Sequence, residues 1–525
     1  MHVGPGIPAA GVGTDAAKNS PQCGPDGKLA YPYPGQAPCT RPLKKGESNG
    51  GATTMGVTAK TIKVVLVRGS RGLQDSIRNA PGNPIPSLID RATGRPDYLE
   101  QAFRDWDAVL AHSFNTWGRT IEFVVIDVTV PSDEVAQRAD AFTVAEQKPF
   151  AVIAPFSGPV FAAELVAKKI LVLGVGGVTN ADAARQAPYR WPGDPDSNAA
   201  AVNAAQFAAR QLRGETAKWS GDFTTKKRVF GALRPSTGID WPYFEKTAKK
   251  EGLEVARTVD YTSVSDGSSA TATYQEEAPS LVAKLKDSGV TTVVLFADFL
   301  MKQQVFKAAD LLDYHPEWVF TGYTSDDIEA TARFLNAASP EQMKHVFGIG
   351  SIPPYVAGID DPIERWFDWY WGKNKGVYSV MPVGPLATLH EGVSLAGPRL
   401  TPARFQQALF SMPASGGAAS NQVESFMAGF GRTTGLPYDE YSQGGLDFSV
   451  TWWNPTEVGK GKLLLDDGTG RFMYIDHAKR YHAGQWTKGE PRLFDTTNSI
   501  SQFEELPASD AVPDYPCKGC PSTRS

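Results

Sequence analysis

Cysteine is scarce, with four in 525 residues, and none lies in the long middle of the chain: Cys23 and Cys39 stand near one end, Cys517 and Cys520 near the other. Free structural cysteines usually sit in cores, so two pairs confined to Pro/Gly-rich ends read instead as local disulfides formed in an oxidising compartment. The pairing expected is Cys23 with Cys39 and Cys517 with Cys520, since each pair is close in sequence. Two rivals stay open at this point, a zinc site drawing on Cys517-x-x-Cys520 plus the other pair, and a redox motif. A redox motif should open a helix after a strand, which Pro-Cys-Lys-Gly-Cys-Pro does not. No run of 18 apolar residues occurs, which excludes a hydrophobic membrane-spanning helix. Excess charge of one sign is missing too: 52 Lys+Arg stand against 57 Asp+Glu, a net charge of −5. With no block of like charges to neutralise phosphates, nucleic acid is excluded as a partner. The first sixty residues hold no apolar h-region and no lipid-attachment box, so an extracytoplasmic protein would have had its export signal removed from this sequence.

Enzyme signatures are also wanting. Ser157, in Ala154-Pro155-Phe156-Ser157-Gly158, has the position of a nucleophile elbow, but Pro155 stands where that turn needs glycine. Gly174-Val175-Gly176-Gly177-Val178-Thr179 lacks dinucleotide spacing and is followed by no Walker lysine. The seven histidines are scattered, with no His-Glu-x-x-His, so no metal or cofactor is expected.

What the chain does contain is alternation. Residues 1–60 hold nineteen Gly and Pro and predict an irregular arm. From residue 61, strand-length apolar runs (Ile62–Val67, Ile121–Asp127, Phe150–Ala154, Ile170–Leu173) alternate with helical periodicity (Leu99 to Leu110, Ser132 to Gln147, Pro159–Lys169), the signature of a parallel sheet covered on both faces. After Trp191-Pro192-Gly193-Asp194-Pro195 the alternation restarts, with strands at 228–233, 254–259, 292–296 and 317–320 and helices at 198–212, 242–251, 276–287 and 301–312. Residues 352–450 are helical and loop-rich. Residues 446–476 read as antiparallel strands with a turn at Asp467-Gly468, and a Pro-rich tail closes the chain. The fold class expected is α/β, two doubly wound Rossmann-like lobes. Loops rich in small and hydroxyl residues leave the strand ends and enter helices, which is where open α/β sheets bind ligands.

The runs IKVVLV, AVIAPFSGPVFAAELVAKKILVLGVGG, RVFGALRPSTGIDWPYFEKTAKKEGLEV and LVAKLKDSGVTTVVLFADFLMKQQVFKAADLL resemble the type I periplasmic binding proteins, specifically the solute-binding components of branched-chain amino acid ABC transporters. The resemblance spans about residues 61 to 475. It implies two lobes clamping a ligand, with three hinge crossings near Trp191, near Ser351 to Pro354 and near Thr451. The arm is then 1–60, the first lobe 61–191 with 352–450, the second lobe 192–351 with 451–505, and the tail 506–525. The implied activity is capture of a small organic ligand outside the cytoplasm and delivery to an ABC importer, without catalysis; a ligand sensor of the same fold is the alternative.

In amino-acid-binding members the positions matching Ser157 and Thr179 hold the ligand carboxylate. An acidic residue at a second-lobe strand end receives the ammonium, yet the register here gives Tyr323 or Thr324, with Asp326 slightly beyond. The expectation is therefore a partly apolar carboxylate and not a zwitterionic amino acid. The expected lining is Arg68, Ser70, Phe156, Ser157, Gly158, Gly177, Val178 and Thr179 from the first lobe. From the second it is Trp241, Phe296, Asp298, Phe299, Tyr323, Thr324 and Asp326.

Overall fold

The computed structural model of the chain describes residues 8–33, 36–68, 98–128, 134–154, 157–175, 178–193, 195–264, 267–356, 362–375, 383–412, 430, 436–442, 445–460, 467–505 and 513–523. The first sheet is built from β1 (Thr61–Arg68), β2 (Thr120–Asp127), β3 (Ala151–Ile153), β4 (Leu171–Val175) and β5 (Arg190–Pro192). All pairs are parallel and the order is β2-β1-β3-β4-β5. Because β1 lies between two strands and under helices on both faces, its sequence is a continuous apolar run and not an alternating one: Val64, Val65, Leu66 and Val67 are all buried.

The connecting helices are α1 (Tyr98–Ser113), α2 (Glu134–Glu146), α3 (Pro159–Ala167) and the short α4 (Asn180–Arg185). Trp191-Pro192, read in the sequence as the approach to a crossing, is itself strand β5.

The second sheet starts after α5 (Ser197–Phe207), an alanine-rich helix whose small side chains let neighbouring elements approach closely. It comprises β6 (Phe230–Pro235), β7 (Val255–Tyr261), β8 (Thr292–Leu295), β9 (Glu317–Phe320) and β10 (Val346–Gly350), linked by α6 (Pro242–Glu251), α7 (Gly267–Asp287), α8 (Phe299–Leu311) and α9 (Glu329–Ala338). The short parallel pair β11 (Tyr355–Val356) and β16 (Gln502–Phe503) stands apart. Antiparallel β12 (Asp447–Lys460), β13 (Asp467–Ile475) and β15 (Ser499–Ile500) extend the sheet beyond β10, and β14 (Arg480–His482) pairs with β12. One expectation is corrected here. Asp467 and Gly468 are not the turn; they pair with Lys460 and Gly459 inside the ladder. The expected run Lys462–Leu465 lies outside the described residues.

Chain remote in sequence completes the first lobe. Helices α10 (Pro362–Trp371), α11 (Val383–Ala396) and α12 (Pro402–Phe410) share one core with β1, β3 and β4. The N-terminal arm joins the same core through Leu29, Tyr31, Ala37 and Cys39, although it has little regular structure. Tyr31 stacks on Trp366 with ring centroids 4.4 Å apart. The buried guanidinium of Arg119 donates to the carbonyls of Asn49 (2.6 Å), Thr58 (2.8 Å) and Pro398 (2.9 Å), fastening the arm to both neighbours. Cys23 is bonded to Cys39 and Cys517 to Cys520, with Cα separations of 5.5 and 5.6 Å.

Candidate functional site: a junction of strand ends between two sheets

The chain passes three times from one sheet to the other, and the packing of the described residues along these crossings fixes what faces what. In the first, Gly193 lies against Gly174, where a Cβ would come 2.7 Å from backbone atoms. Pro195 then meets Gly445 of the third crossing so closely that a Cβ there would lie 2.2 Å away; that glycine also has φ +67°. Asp196 follows and serves two helices. Its Oδ2 accepts from Ala199 N (3.2 Å), capping α5, and its Oδ1 accepts from Asn180 N (3.1 Å), the first residue of α4. Burial, with Asp240 nearby, pushes the Asp196 carboxyl up to about 6.

The first turn of α5 is also tied to the loop leaving β6. Ser197 Oγ donates to Gly238 O (2.8 Å), Asn198 Nδ2 to Asp240 Oδ2 (2.9 Å), and Asp240 N to Asn198 Oδ1 (3.0 Å). Asn180 reaches the third crossing through Ser442 Oγ (2.5 Å). The C-terminal ends of β4 and β5 in one sheet and of β6 in the other are therefore drawn to one junction.

At the second and third crossings, Asp327 Oδ2 accepts from Ile352 N (2.5 Å). The enclosed Arg480 donates to Ser351 O (2.8 Å), Asp447 O (2.7 Å) and Asp447 Oδ1 (3.0 Å). Asn180, Asp196, Asn198 and Arg480 were not singled out from sequence, because their roles depend on partners up to hundreds of residues away.

Around this junction the first lobe offers Ser157. Its Oγ is enclosed and has no hydrogen-bond partner among the described residues, at the entry to α3, where Gly158 is the N-cap. Gln137 leaves no room for a side chain at Gly158, since a Cβ would lie 2.4 Å from its Oε1, and Gln137 Oε1 accepts from Phe161 N (3.1 Å). Arg68, at the end of β1, is held by Asp127 (2.8 Å) and Glu100 (3.5 Å). Ser70, Phe156 and Gly177 lie outside the described residues, and Val178 is packed in the core between sheet and helices.

Several expected contacts are corrected by the partners these side chains already have. The Thr179 hydroxyl is used in a capping box, donating to Asp182 Oδ2 (2.8 Å) and accepting from Asp182 N (3.1 Å). Asp298 caps α8 through Met301 N (3.0 Å) and accepts from Tyr274 (2.9 Å) and Tyr261 (3.3 Å). Asp326 is enclosed, 3.3 Å from Lys302, and accepts from Thr321 N and Gly322 N. It has no face left for a ligand ammonium.

Phe296 is fully buried, edge-on to Trp241 (5.5 Å) and Tyr323 (6.2 Å), and is a core residue. Phe299 packs on Phe334 at 6.1 Å against the opposite core of that lobe. Trp241 stacks on Phe244 at 4.4 Å and carries the Arg234 guanidinium 4.8 Å from its ring. Tyr323 brings its hydroxyl beside Gly238, and Thr324, at φ +53°, donates to Tyr323 O (2.7 Å). The loops leaving β6 and β9 thus meet on the second-lobe side of the junction.

Among the described residues no helix is long and apolar enough to cross a membrane. Comparison with family models gives no match, and comparison with curated proteins gives none either. Solved structures are similar in arrangement. An ABC transporter solute-binding protein from R. palustris, in complex with 4-hydroxybenzoate, is 15% identical with a TM-score of 0.48, over 81% of this chain and 99% of its own. A substrate-binding protein from Aeropyrum pernix is 12% identical with a TM-score of 0.48, over 83% and 97%. A fatty acid ABC transporter substrate-binding protein from Thermomonospora curvata is 12% identical with a TM-score of 0.46, over 83% and 95%. The chain's own topology, two doubly wound sheets joined by three crossings, is the arrangement its sequence resemblance implies.

Proposed function

We propose that the chain is an extracytoplasmic solute-binding protein that clamps a small, partly apolar carboxylate between its two lobes and hands it to an ABC importer. The observation that carries this reading is the convergence of strand C-terminal ends from both sheets on one junction, with Ser157 at a helix N-terminus after β3, the strand next to β4, its Oγ without a hydrogen-bond partner among the described residues. The body built on the first sheet, residues 61–192 with 362–442, and the body built on the second, residues 197–350 with 447–500, turn about the crossings; the third crossing thus falls before Asp447, because residues 447–450 already pair with β10 and β14 in the second sheet. Ser157 and Gly158 donate to the carboxylate and Tyr323 brings its hydroxyl from the facing lobe, whereas Arg68 is already balanced by Asp127 and Glu100 and Trp241 is packed in the core beside Phe296. Of the three acids that could receive a ligand ammonium, Asp298 and Asp326 are committed internally and Asp240 already accepts from Asn198 through Oδ2, so free amino acids are poor ligands unless Asp240 turns to them. Two disulfides support an oxidising compartment.

The test is thermal stabilisation by a panel of aromatic and aliphatic carboxylic acids beside amino acids, followed by small-angle scattering with the best ligand. Stabilisation by a carboxylic acid, a smaller radius of gyration on saturation, and roughly tenfold weaker binding by Ser157→Ala are expected. Stabilisation by leucine or valine alone, or an unchanged radius at saturation, overturns the reading.

A further inference from the structure

The Cys517-x-x-Cys520 turn does not stand alone. It docks on the first lobe beside the last turn of α1, where His112 Nε2 lies 3.5 Å from Cys517 Sγ and 3.4 Å from Cys520 Sγ. One imidazole nitrogen meets both sulfurs, a contact that a covalent clip for the tail does not require. Cys520 is fully buried and Cys517 6% exposed, while His112 is half-buried, its ring held between Trp369 (5.6 Å) and Tyr370 (5.3 Å). Gly519, at φ +81°, makes the tight turn that brings both cysteines to the same side.

The tail is anchored independently of the sulfur–sulfur bond. Trp369 Nε1 donates to Tyr515 O (2.7 Å), Ser522 Oγ donates to Trp369 O (2.8 Å), and Arg365 pairs with Asp514. Opening the disulfide therefore leaves both sulfurs docked against the imidazole.

We propose that the reduced form of this cluster is a metal site in which Cys517, Cys520 and His112 bind one thiophilic d10 cation, Zn2+ or Cu+. Two thiolates and an imidazole from a Cys-x-x-Cys turn and a helix are the donor set such ions select. Three protein ligands suit trigonal Cu+, or tetrahedral Zn2+ with a water completing the shell. An external dithiol opens the site: it passes two electrons and two protons to the Cys517–Cys520 bond and becomes a disulfide itself. The arriving cation then displaces the two thiol protons.

The experiment uses the full chain, reduced anaerobically with a phosphine, freed of reductant and titrated with Zn2+ and separately with Cu+. Metal content is read by elemental mass spectrometry, and Co2+ gives a thiolate charge-transfer band as a second signature. The expected result is one ion per reduced chain, none on the oxidised chain, and loss of that ion in Cys517→Ser/Cys520→Ser. Binding should weaken about tenfold or more in both His112→Ala and the shape-preserving His112→Gln. Retention of one tightly bound ion by the double serine variant would assign it to Cys23 and Cys39 and overturn the proposal. So would full affinity in His112→Gln, or no uptake by the reduced chain. The relative affinities of Zn2+ and Cu+ decide which member of the class the site prefers.

Discussion

In the first sheet the strands run β2-β1-β3-β4-β5, and in the parallel part of the second the same order recurs as β7-β6-β8-β9-β10. Each lobe ends its leading strand with an arginine paired to an aspartate on the neighbouring strand end, Arg68 to Asp127 at 2.8 Å and Arg234 to Asp260 at 2.6 Å. Beneath that shared plan the interiors differ. The first lobe is packed with rings brought from remote chain, Tyr31 and Trp106 on Trp366, and Phe405 and Phe430 on Trp191. Among the described residues, the four ion pairs whose side chains are both no more than 1% exposed all lie in the second sheet and its junction. They are Arg228 with Glu317, Lys302 with Asp326, Arg471 with Glu329, and Arg480 with Asp447. Removing one member of a buried ion pair leaves the other without its partner, so the lobes should respond differently to charge removal; titration reaches both, since burial also raises Glu391 in α11 to about 8.

The largest effect is expected at Glu317, which accepts from Arg228 (2.8 and 3.0 Å), Thr292 (2.7 Å) and Trp219 N (3.2 Å). Glu317→Ala takes from the buried Arg228 guanidinium its bidentate partner, leaving it Glu490 (3.0 Å) and the Leu212 carbonyl (2.9 Å), and should cost about 3 kcal/mol in denaturant unfolding. Arg228→Met/Glu317→Leu removes both charges and should recover most of that loss. Equal losses in the single and double variants would mean that shape, and not charge, holds this lobe as it holds the other.

An effect no larger, confined to the first lobe, is expected from Cys23→Ser/Cys39→Ser. The bond closes a short loop in an arm with little regular structure, and releasing it should lower stability by about 3 kcal/mol on the chain-entropy account. Because Arg119 still fastens the arm through backbone carbonyls, unfolding should stay cooperative. Rapid proteolysis of residues 8–60 with no change in the main transition would show instead that the arm is not part of the first-lobe core.

Much of this plan was legible in sequence wherever a strand is buried on both faces. IKVVLV admits little else, and the helices between such runs follow from periodicity. Strand β10, Val-Phe-Gly-Ile-Gly, was not legible. Its glycines look like turn residues, yet Gly348 is there because a Cβ would lie 2.0 Å from Phe320 O, and Gly350 because Asp327 packs against it. At the site, the loops leaving β6 and β9 were readable from their composition. What their polar groups bind was not. Thr179 could have been read as a helix cap from Asp182 three residues on, but the enclosure of Asp326 depends on Lys302 from another helix.

The smallest and most specific effect is expected at Asp327, where the second lobe meets its crossing. Burial first, and then the neighbouring Asp326, raise its carboxyl to about 7, against an ordinary value of about 4. The folded chain therefore keeps a proton that the unfolded chain has already lost. Between about pH 4 and 7 the folded state binds more protons, so this group's contribution is complete below that window and disappears as pH rises through it. Asp196, raised to about 6, and Glu329, raised to about 7, act in the same direction. Asp327→Asn keeps an oxygen to accept from Ile352 N and removes the charge. The variant should match the wild type only below about pH 4, and its advantage should grow by on the order of 2 kcal/mol between pH 5 and pH 8, with a shallower slope left by Asp196 and Glu329. Urea unfolding at the two pH values checks this: a wild type that gains stability from pH 5 to 8, or a variant with an unchanged slope, would show that Asp327 is ionised at its crossing and that the second lobe's buried carboxylates do not set its pH response.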